Sequence, residues 1–182
     1  MWRVHRHIGM GGDQIVTAIA GDEVEQRLGD TLREAEAEEF RPLRDECEPL
    51  AGARELVEEL RRRGIAVVLA SSSGGDDVEH FVRTIGIEGL VDGWTTKDDV
   101  ERSKPHPDVV HAALERAGTD DAVMVGDSRW DIEAAANAGL PTVCVITGGW
   151  SIQELRDAGA AAVFESLLEL AAGLESPPFA AP

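Results

Sequence analysis

Asp127 and Asp131 lie four positions apart in the segment Gly-Asp-Ser-Arg-Trp-Asp at 126–131, where an apolar run ends and a helical pattern begins. In open α/β sheets, ligands and metals bind at the carboxyl ends of strands. A Mg²⁺ site uses one or two carboxylates and completes its shell with water and phosphate oxygens. The structural alternative is that Asp127 caps the helix and Asp131 supports its positive end. The spacing alone favours neither.

Hydroxyl groups and an isolated lysine accompany these acids. Ser71 and Ser72 follow the apolar run Val-Val-Leu-Ala at 67–70, and two glycines come shortly after them. Their hydroxyl and backbone N–H groups can hold a phosphate, although a group of helix-capping serines is the alternative. Lys104 is one of two lysines in a chain that otherwise uses arginine. A compact ammonium can serve as a point charge for a phosphate, while an exposed surface lysine is the alternative.

The composition is typical of a globular protein with an acidic surface. The chain has 182 residues, 43% of them hydrophobic and 29% charged, with a formal net charge of −18. This length suits one domain with a modest appendage. The negative charge argues against nucleic acid or an anionic membrane as a partner, since both favour basic surfaces. With no secretory segment, no long apolar run and no disulfide framework, we expect a cytoplasmic protein.

Periodicity predicts a helical module followed by an α/β domain. Residues 1–47 form the module, because apolar residues recur at helical spacing within a highly charged stretch. In residues 48–174, apolar strands alternate with helices, which is typical of a doubly wound parallel sheet. Residues 175–182 form a proline-rich tail. The predicted strands are 65–70, 90–95, 122–125, 141–146 and 161–164, and the predicted helices of this domain are 55–63, 76–85, 107–117, 129–138, 152–158 and 166–171.

Three motifs, in this order, resemble those of the haloacid dehalogenase superfamily. They are Ser71 after a strand, Lys104 in Lys-Pro-His-Pro-Asp, and Gly-Asp-x-x-x-Asp at 126–131. The likeness extends to about residue 172 and is greatest to phosphoglycolate-phosphatase and β-phosphoglucomutase-like members with a helical cap. It implies an α/β fold with a Rossmann-type, doubly wound parallel sheet and a partial helical cap in residues 1–47.

The resemblance also implies a role for each motif residue. In the family, an Asp nucleophile forms an aspartyl-phosphate that water hydrolyses, and a second Asp acts as general acid and base. By this likeness, Ser71 and the backbone of Ser72 hold the phosphoryl group and Lys104 neutralises its charge. Asp127 ligates Mg²⁺, and Asp131 ligates it or orients its waters. The activity implied is that of a Mg²⁺-dependent phosphatase acting on a small phosphorylated metabolite.

The family's nucleophile motif, Asp-x-Asp-Gly-Thr/Ser, has no counterpart in the chain. In the family it ends a first strand at the centre of the sheet, between the strands that carry the serine and Gly-Asp motifs. Without that strand, both neighbours lose ladder partners and a groove should open in the core. We therefore expect the natural protein to begin upstream of Met1, and the chain as given to be inactive.

Other interpretations remain open. A phosphomutase is possible because the cap decides whether water or a sugar hydroxyl reaches the aspartyl-phosphate. A non-catalytic protein of the same fold, kept for binding, would explain the missing nucleophile. A receiver-like domain is a third possibility, but the spacing of the two acids and the helices predicted in residues 1–47 fit it poorly. The sequence does not identify the substrate or the oligomeric state. Candidate substrate contacts lie in a basic, glycine-rich stretch that could instead be a helix face: Arg6, Gly9, Met10 and Gly11.

Overall fold

Helices and short parallel strands alternate through most of the computed structural model, which describes residues 2–179. The strands are β1 Val68–Ala70, β2 Gly93–Thr95, β3 Met124–Gly126, β4 Thr142–Val145 and β5 Ala162–Phe164. The helices are α1 Trp2–His5, α2 Gly12–Ala20, α3 Asp22–Arg44, α4 Ala53–Arg62, α5 Gly75–Ile85, α6 Asp108–Ala117, α7 Arg129–Asn137, α8 Ile152–Asp157 and α9 Leu167–Ala172. Two 3₁₀ turns cover Lys97–Asp99 and Ile146–Gly148.

Every strand and helix predicted after residue 50 is present, which confirms the α/β class, but all five strands are shorter than predicted. The prediction for β1 began at residue 65, and the strand begins at Val68. Here the side chain of Asp92 takes the place of a ladder partner, because its Oδ2 accepts the N–H of Val67 at 2.8 Å. Apolar periodicity cannot show that a side chain replaces a backbone hydrogen-bond partner. The four-residue α1 lies within the stretch predicted to be helical, residues 1–47.

The strands form two separate parallel sheets. β1 pairs with β2, and β4 lies between β3 and β5. Within residues 2–179 no strand lies between β1 and β3, so each of them is an edge strand. All residues of β1 and β3 are partly exposed, whereas all four residues of β4 are buried. The strands are therefore divided into two sheets, with a gap in strand pairing at the free edges of β1 and β3.

The same helices cover both sheets. On one side, Val109 and Val110 of α6 form a core cluster with Ala134 of α7, and Ala70 of β1 packs against it. On the other side, a cluster that includes Leu56 and Leu60 of α4 also holds residues of β4 and α9. Burying a Val or Leu side chain contributes about 1.5–3 kcal/mol. Apolar packing on both faces thus holds the two sheets in one body.

Local signals set the helix boundaries around the core. α5 and α6 end at Gly86 and Gly118, whose φ angles of +74° and +69° are left-handed and favour glycine. Ser128 and Ser151 cap the amino-terminal ends of α7 and α8, and an acidic residue three positions after each serine completes a capping box. These boundaries place the start of α7 directly after β3.

The amino-terminal helices stand apart from the sheets. α2 and α3 pack against each other, and Arg33 of α3 donates to the carbonyl of Gly12 at 3.1 Å and to Glu25 at 2.9 Å. The helical module predicted for residues 1–47 contains α1 to α3. None of the helices described in residues 2–179 is both long and apolar enough to cross a membrane.

Candidate functional site

Asp131 is the buried anchor of the turn that follows β3. Its side chain is 6% exposed. Its Oδ2 accepts the N–H of Asp127 at 3.2 Å, and the N–H and hydroxyl of Ser128 at 3.1 and 2.7 Å. Ser128 in turn accepts the N–H of Asp131 at 3.3 Å. The helix cap is therefore Ser128, not Asp127 as the structural alternative proposed, and the Ser-x-x-Asp spacing could have revealed it.

Lys104 brings a positive charge to this turn. Its Nζ lies 2.8 Å from Oδ1 of Asp131, and 12% of the lysine side chain is exposed. Burial opposes ionisation of Asp131, but the charge and hydrogen bond of Lys104 and the hydroxyl of Ser128 outweigh it, so the pKa of Asp131 is lowered. The ion pair joins the loop after β2 to the helix after β3. It therefore links the two sheets through the segments that follow β2 and β3.

Asp127 presents the second carboxylate, on the last turn before α7. Its Oδ2 accepts the hydroxyl of Thr147 at 2.9 Å. Burial raises the pKa of Asp127 above its usual value, opposed by the Thr147 hydrogen bond and reinforced by the charge of Asp131. The backbone at Gly148 is so close that a Cβ there would lie 2.7 Å from Cγ of Asp127. Sequence reasoning missed Thr147, because nothing in its local pattern marks it.

The two carboxylates differ in what they can offer a metal. Both oxygens of Asp131 accept protein donors, whereas burial leaves Asp127 with a raised pKa that a nearby cation would offset. No group of three or more His, Cys, Asp or Glu side chains in residues 2–179 is arranged to hold a metal. Mg²⁺ needs only one or two protein carboxylates when water and phosphate complete its shell. The donors present therefore fit Mg²⁺.

The serine loop lies at the end of β1, across the gap from β3. The N–H of Ser71 donates to the carbonyl of Thr95 at 3.2 Å, and its Oγ accepts the N–H of Ser73 at 3.1 Å. Oγ of Ser72 is buried without a hydrogen-bond partner among residues 2–179. The loop leads into α5, whose cap residue, Gly74, has no side chain to satisfy the first N–H groups. Free donors of this kind suit an anion.

The glycine-rich segment, residues 5–13, lies against the turn that follows β3 and the loop that carries Lys104. Arg6 pairs with Glu154 and stacks over Trp150 at 3.7 Å, so protein groups already hold its guanidinium. A Cβ on Gly9 would lie 2.7 Å from Oγ of Ser128. The other two candidate substrate contacts are the next two residues of the chain: Met10 is partly buried, and Gly11 packs against Ser103. The predicted substrate segment thus borders the acidic turn, with Arg6 as its anchor.

Comparison with known proteins identifies the fold. A model of haloacid dehalogenase-like hydrolases matches residues 2–145. The chain belongs to this family. A hydrolase from Pseudomonas syringae superposes with a TM-score of 0.88 at 31% identity, covering 96% of this chain and 82% of that one. CbbY from Rhodobacter sphaeroides, in complex with phosphate, gives a TM-score of 0.75 at 25% identity over 96% of this chain and 82% of its own.

Among curated proteins, the chain is similar to the pyrophosphatase PpaX of Bacillus velezensis. The two are 36% identical over 101 residues, which is 54% of this chain and 45% of PpaX. The PpaX of Bacillus cereus is 34% identical over the same length. The chain therefore spans about half the length of the curated relatives it matches.

Proposed function

We propose that this chain contributes the phosphate- and metal-binding groups of a Mg²⁺-dependent phosphatase for a small phosphorylated metabolite. The observation that carries the proposal is the buried pair of Lys104 and Asp131 beside the carboxylate of Asp127. One cation and two acids at a strand end suit phosphoryl transfer, which depends on positioning and charge stabilisation. The resemblance of the three motifs supports the same assignment.

Each residue has a distinct part in this proposal. Asp127 would hold Mg²⁺, which when bound polarises phosphoryl oxygens. Asp131 keeps the turn and the ammonium of Lys104 in place, since both its oxygens accept from them. Lys104 offsets phosphate charge. From the end of β1, Ser71 donates its hydroxyl to the phosphoryl oxygens, and Ser72 donates its hydroxyl or its backbone N–H.

The covalent step needs a carboxylate that we place in the gap between β1 and β3. In the described residues no strand occupies that gap, and the chain contains no Asp-x-Asp. We propose that an additional strand carries the nucleophile, an Asp carboxylate that attacks phosphorus while the P–O bond to the leaving group breaks and that group departs as a protonated alcohol or as phosphate. Water then hydrolyses the aspartyl-phosphate to inorganic phosphate and the free carboxylate. The 182 residues alone would then bind phosphate without turning over a phosphoester.

Binding is tested first, by calorimetric titration of inorganic phosphate in the presence of Mg²⁺. We expect binding by the chain, and losses of about tenfold or more in affinity for Asp127→Asn and Lys104→Met. Asp121→Asn, which changes an exposed acid in the loop before β3, is the matched control and should bind like the original chain. Equal binding by all variants contradicts the proposed site.

Turnover is tested with pyrophosphate and p-nitrophenyl phosphate. Pyrophosphate is included because the PpaX relatives are named pyrophosphatases. A chain extended by a strand ending in Asp-x-Asp-Gly-Thr should hydrolyse at least one of them with Mg²⁺, and its Asp127→Ala variant should not. Inactivity of the extended chain contradicts the phosphatase assignment. Turnover by the unextended chain that disappears in Asp127→Ala contradicts its proposed inactivity.

A binding protein without catalysis is the second candidate function. The gap favours it, because the described residues place no nucleophilic carboxylate at a strand end between Ser71 and Asp127. Such a protein would bind phosphate with the same variant dependence and show no turnover when extended. The two candidates therefore differ only in the activity of the extended chain.

A further inference from the structure

Asp13 makes an unusual connection between the amino-terminal helices and the loop that carries Lys104. Asp13 lies in the first turn of α2, 90 positions before Ser103. Its Oδ2 accepts the N–H of Ser103 at 3.1 Å, and its Oδ1 accepts the Ser103 hydroxyl. Ser103 is 2% exposed. One carboxylate thus satisfies both donors of a buried residue next to Lys104.

A second contact fixes the same loop from the same side. The N–H of Gly11 donates to the carbonyl of Lys104 at 3.3 Å. The backbones come so close that a Cβ on Gly11 would overlap the side chain of Ser103. Gly11 therefore holds the carbonyl of Lys104 and Asp13 holds the neighbouring Ser103, and both belong to the segment that enters α2.

The side chain of Lys104 depends on this placement. A lysine has four rotatable side-chain bonds and loses up to about 2 kcal/mol of conformational entropy when it is ordered. Its ammonium reaches Oδ1 of Asp131 at 2.8 Å. A shift of the loop would move the start of that side chain and weaken the pair, because the Coulomb and hydrogen-bond energies fall steeply with distance.

We propose that Asp13 is a positioning residue for Lys104, so that seating of the amino-terminal helices on the core sets the phosphate-binding ammonium. Asp13 does not itself touch phosphate. The role given to Lys104 rests on the proposed function; the placement of its side chain by Asp13 does not. When the helices separate from the core, Ser103 loses its acceptor and Lys104 loses its fixed backbone.

The ionisation state of Asp13 suits this contact. Burial raises its pKa, but hydrogen bonds from Ser103 and Gln14 more than offset burial, and the pKa is lowered overall. The carboxylate is therefore charged at neutral pH, and hydrogen bonds to a charged acceptor are roughly twice as strong as neutral ones.

The test uses the fact that the chain has two lysines, Lys97 and Lys104. In protein labelled with ¹³C-lysine, the ε-methylene region then contains two sets of signals, and Lys97→Arg assigns them. Lys97 is exposed and supplies the shift of a free lysine. In the original chain, the Lys104 signal should be separated from it because its ammonium is paired and largely buried.

Asp13→Ala should move the Lys104 signal most of the way toward that of Lys97 and weaken phosphate binding by about tenfold. Asp13→Asn keeps an acceptor oxygen and should give an intermediate shift, which also serves if the alanine variant does not fold. Asp22→Asn changes the same residue type in the first turn of α3 and should leave both signals in place. An unchanged Lys104 signal in folded Asp13→Ala or Asp13→Asn contradicts the role given to Asp13.

The two proposals fail in different ways. If phosphate with Mg²⁺ leaves the Lys104 signal of the original chain unmoved, the phosphate role of Lys104 is wrong. If Asp13→Ala shifts that signal in the absence of phosphate, the positioning role stands even then. A shift that Asp22→Asn reproduces would instead show a general effect of charge on the helices and would contradict the role of Asp13.

Discussion

Replacing Asp131 with Asn should destabilise the fold more than the loss of any exposed acid. Asparagine keeps the volume and one oxygen for the capping donors of the turn, so the change mainly removes the charge that faces Lys104. That pair is 2.8 Å long, and its side chains are 12% and 6% exposed. Breaking a buried pair from one side costs about 3–5 kcal/mol, because the remaining charge stays buried without a partner. We expect about 3 kcal/mol, since Lys104 keeps some access to water.

A loss of that size is a large part of a typical stability of about 5–15 kcal/mol. Urea unfolding followed by circular dichroism measures it as a lower midpoint with an unchanged slope. Glu58→Gln is the control, since it breaks a pair with Arg54 whose side chains are 47% and 53% exposed. We expect that control to cost about 0–0.5 kcal/mol.

A double-mutant cycle with Lys104→Met separates the free energy of the Lys104–Asp131 ion pair from that of the capping hydrogen bonds of Asp131. The double variant should be destabilised less than the sum of the two single variants, because no unpaired buried charge remains. If Asp131→Asn costs less than about 1 kcal/mol, the pair behaves like a surface ion pair and its buried role is refuted.

Three further predictions concern the glycine-rich segment, the thiols and a capping acid. Gly9→Ala should cost about 1–3 kcal/mol more than Gly21→Ala in urea unfolding, because both have positive φ but only Gly9 has neighbours within 4 Å of a new Cβ. Native protein should give one reactive thiol with a disulfide reagent, and two in denaturant. Cys47 is exposed, whereas Cys144 is buried and burial raises its pKa to about 12. Hydrogen bonds from Ser151 in the capping turn lower the pKa of Glu154 to about 2, so its carboxyl should titrate near pH 2 by NMR. The stability that this carboxylate contributes should be lost as the pH falls from 4.5 toward 2. Each prediction is contradicted by one result: equal losses of unfolding free energy for the two glycine variants, two reactive thiols in native protein, or a pKa of Glu154 near 4.5.

Much of the α/β domain could be predicted because apolar runs, glycine stops and capping serines are local signals. The helix 129–138 was predicted and α7 covers Arg129–Asn137. The pairing of Lys104 with Asp131 followed from no local pattern, since the two residues are 27 positions apart. The motif resemblance nevertheless put both at the same site. The roles given to these residues stay predictions.

The contacts that sequence reasoning missed are those that long-range packing creates. Thr147 and Ser103 have no local pattern that marks them, yet one donates to Asp127 and the other to Asp13. Arg6 was a candidate for substrate, but its partner Glu154 is 148 positions away. Such contacts depend on how loops meet, which residue types and spacing do not specify.

The divided sheet is tolerable because of how its open edges are built. An unpaired buried backbone group costs about 1–3 kcal/mol, but β1 and β3 are each three residues long and partly exposed, so water can reach groups that lack ladder partners. Short edge strands also offer little template for pairing with other chains. α4 and α6, which pack on the two sides of the strands, keep the sheets in one body. The fold therefore tolerates two separate sheets, whose edge strands β1 and β3 end next to Ser71 and Asp127.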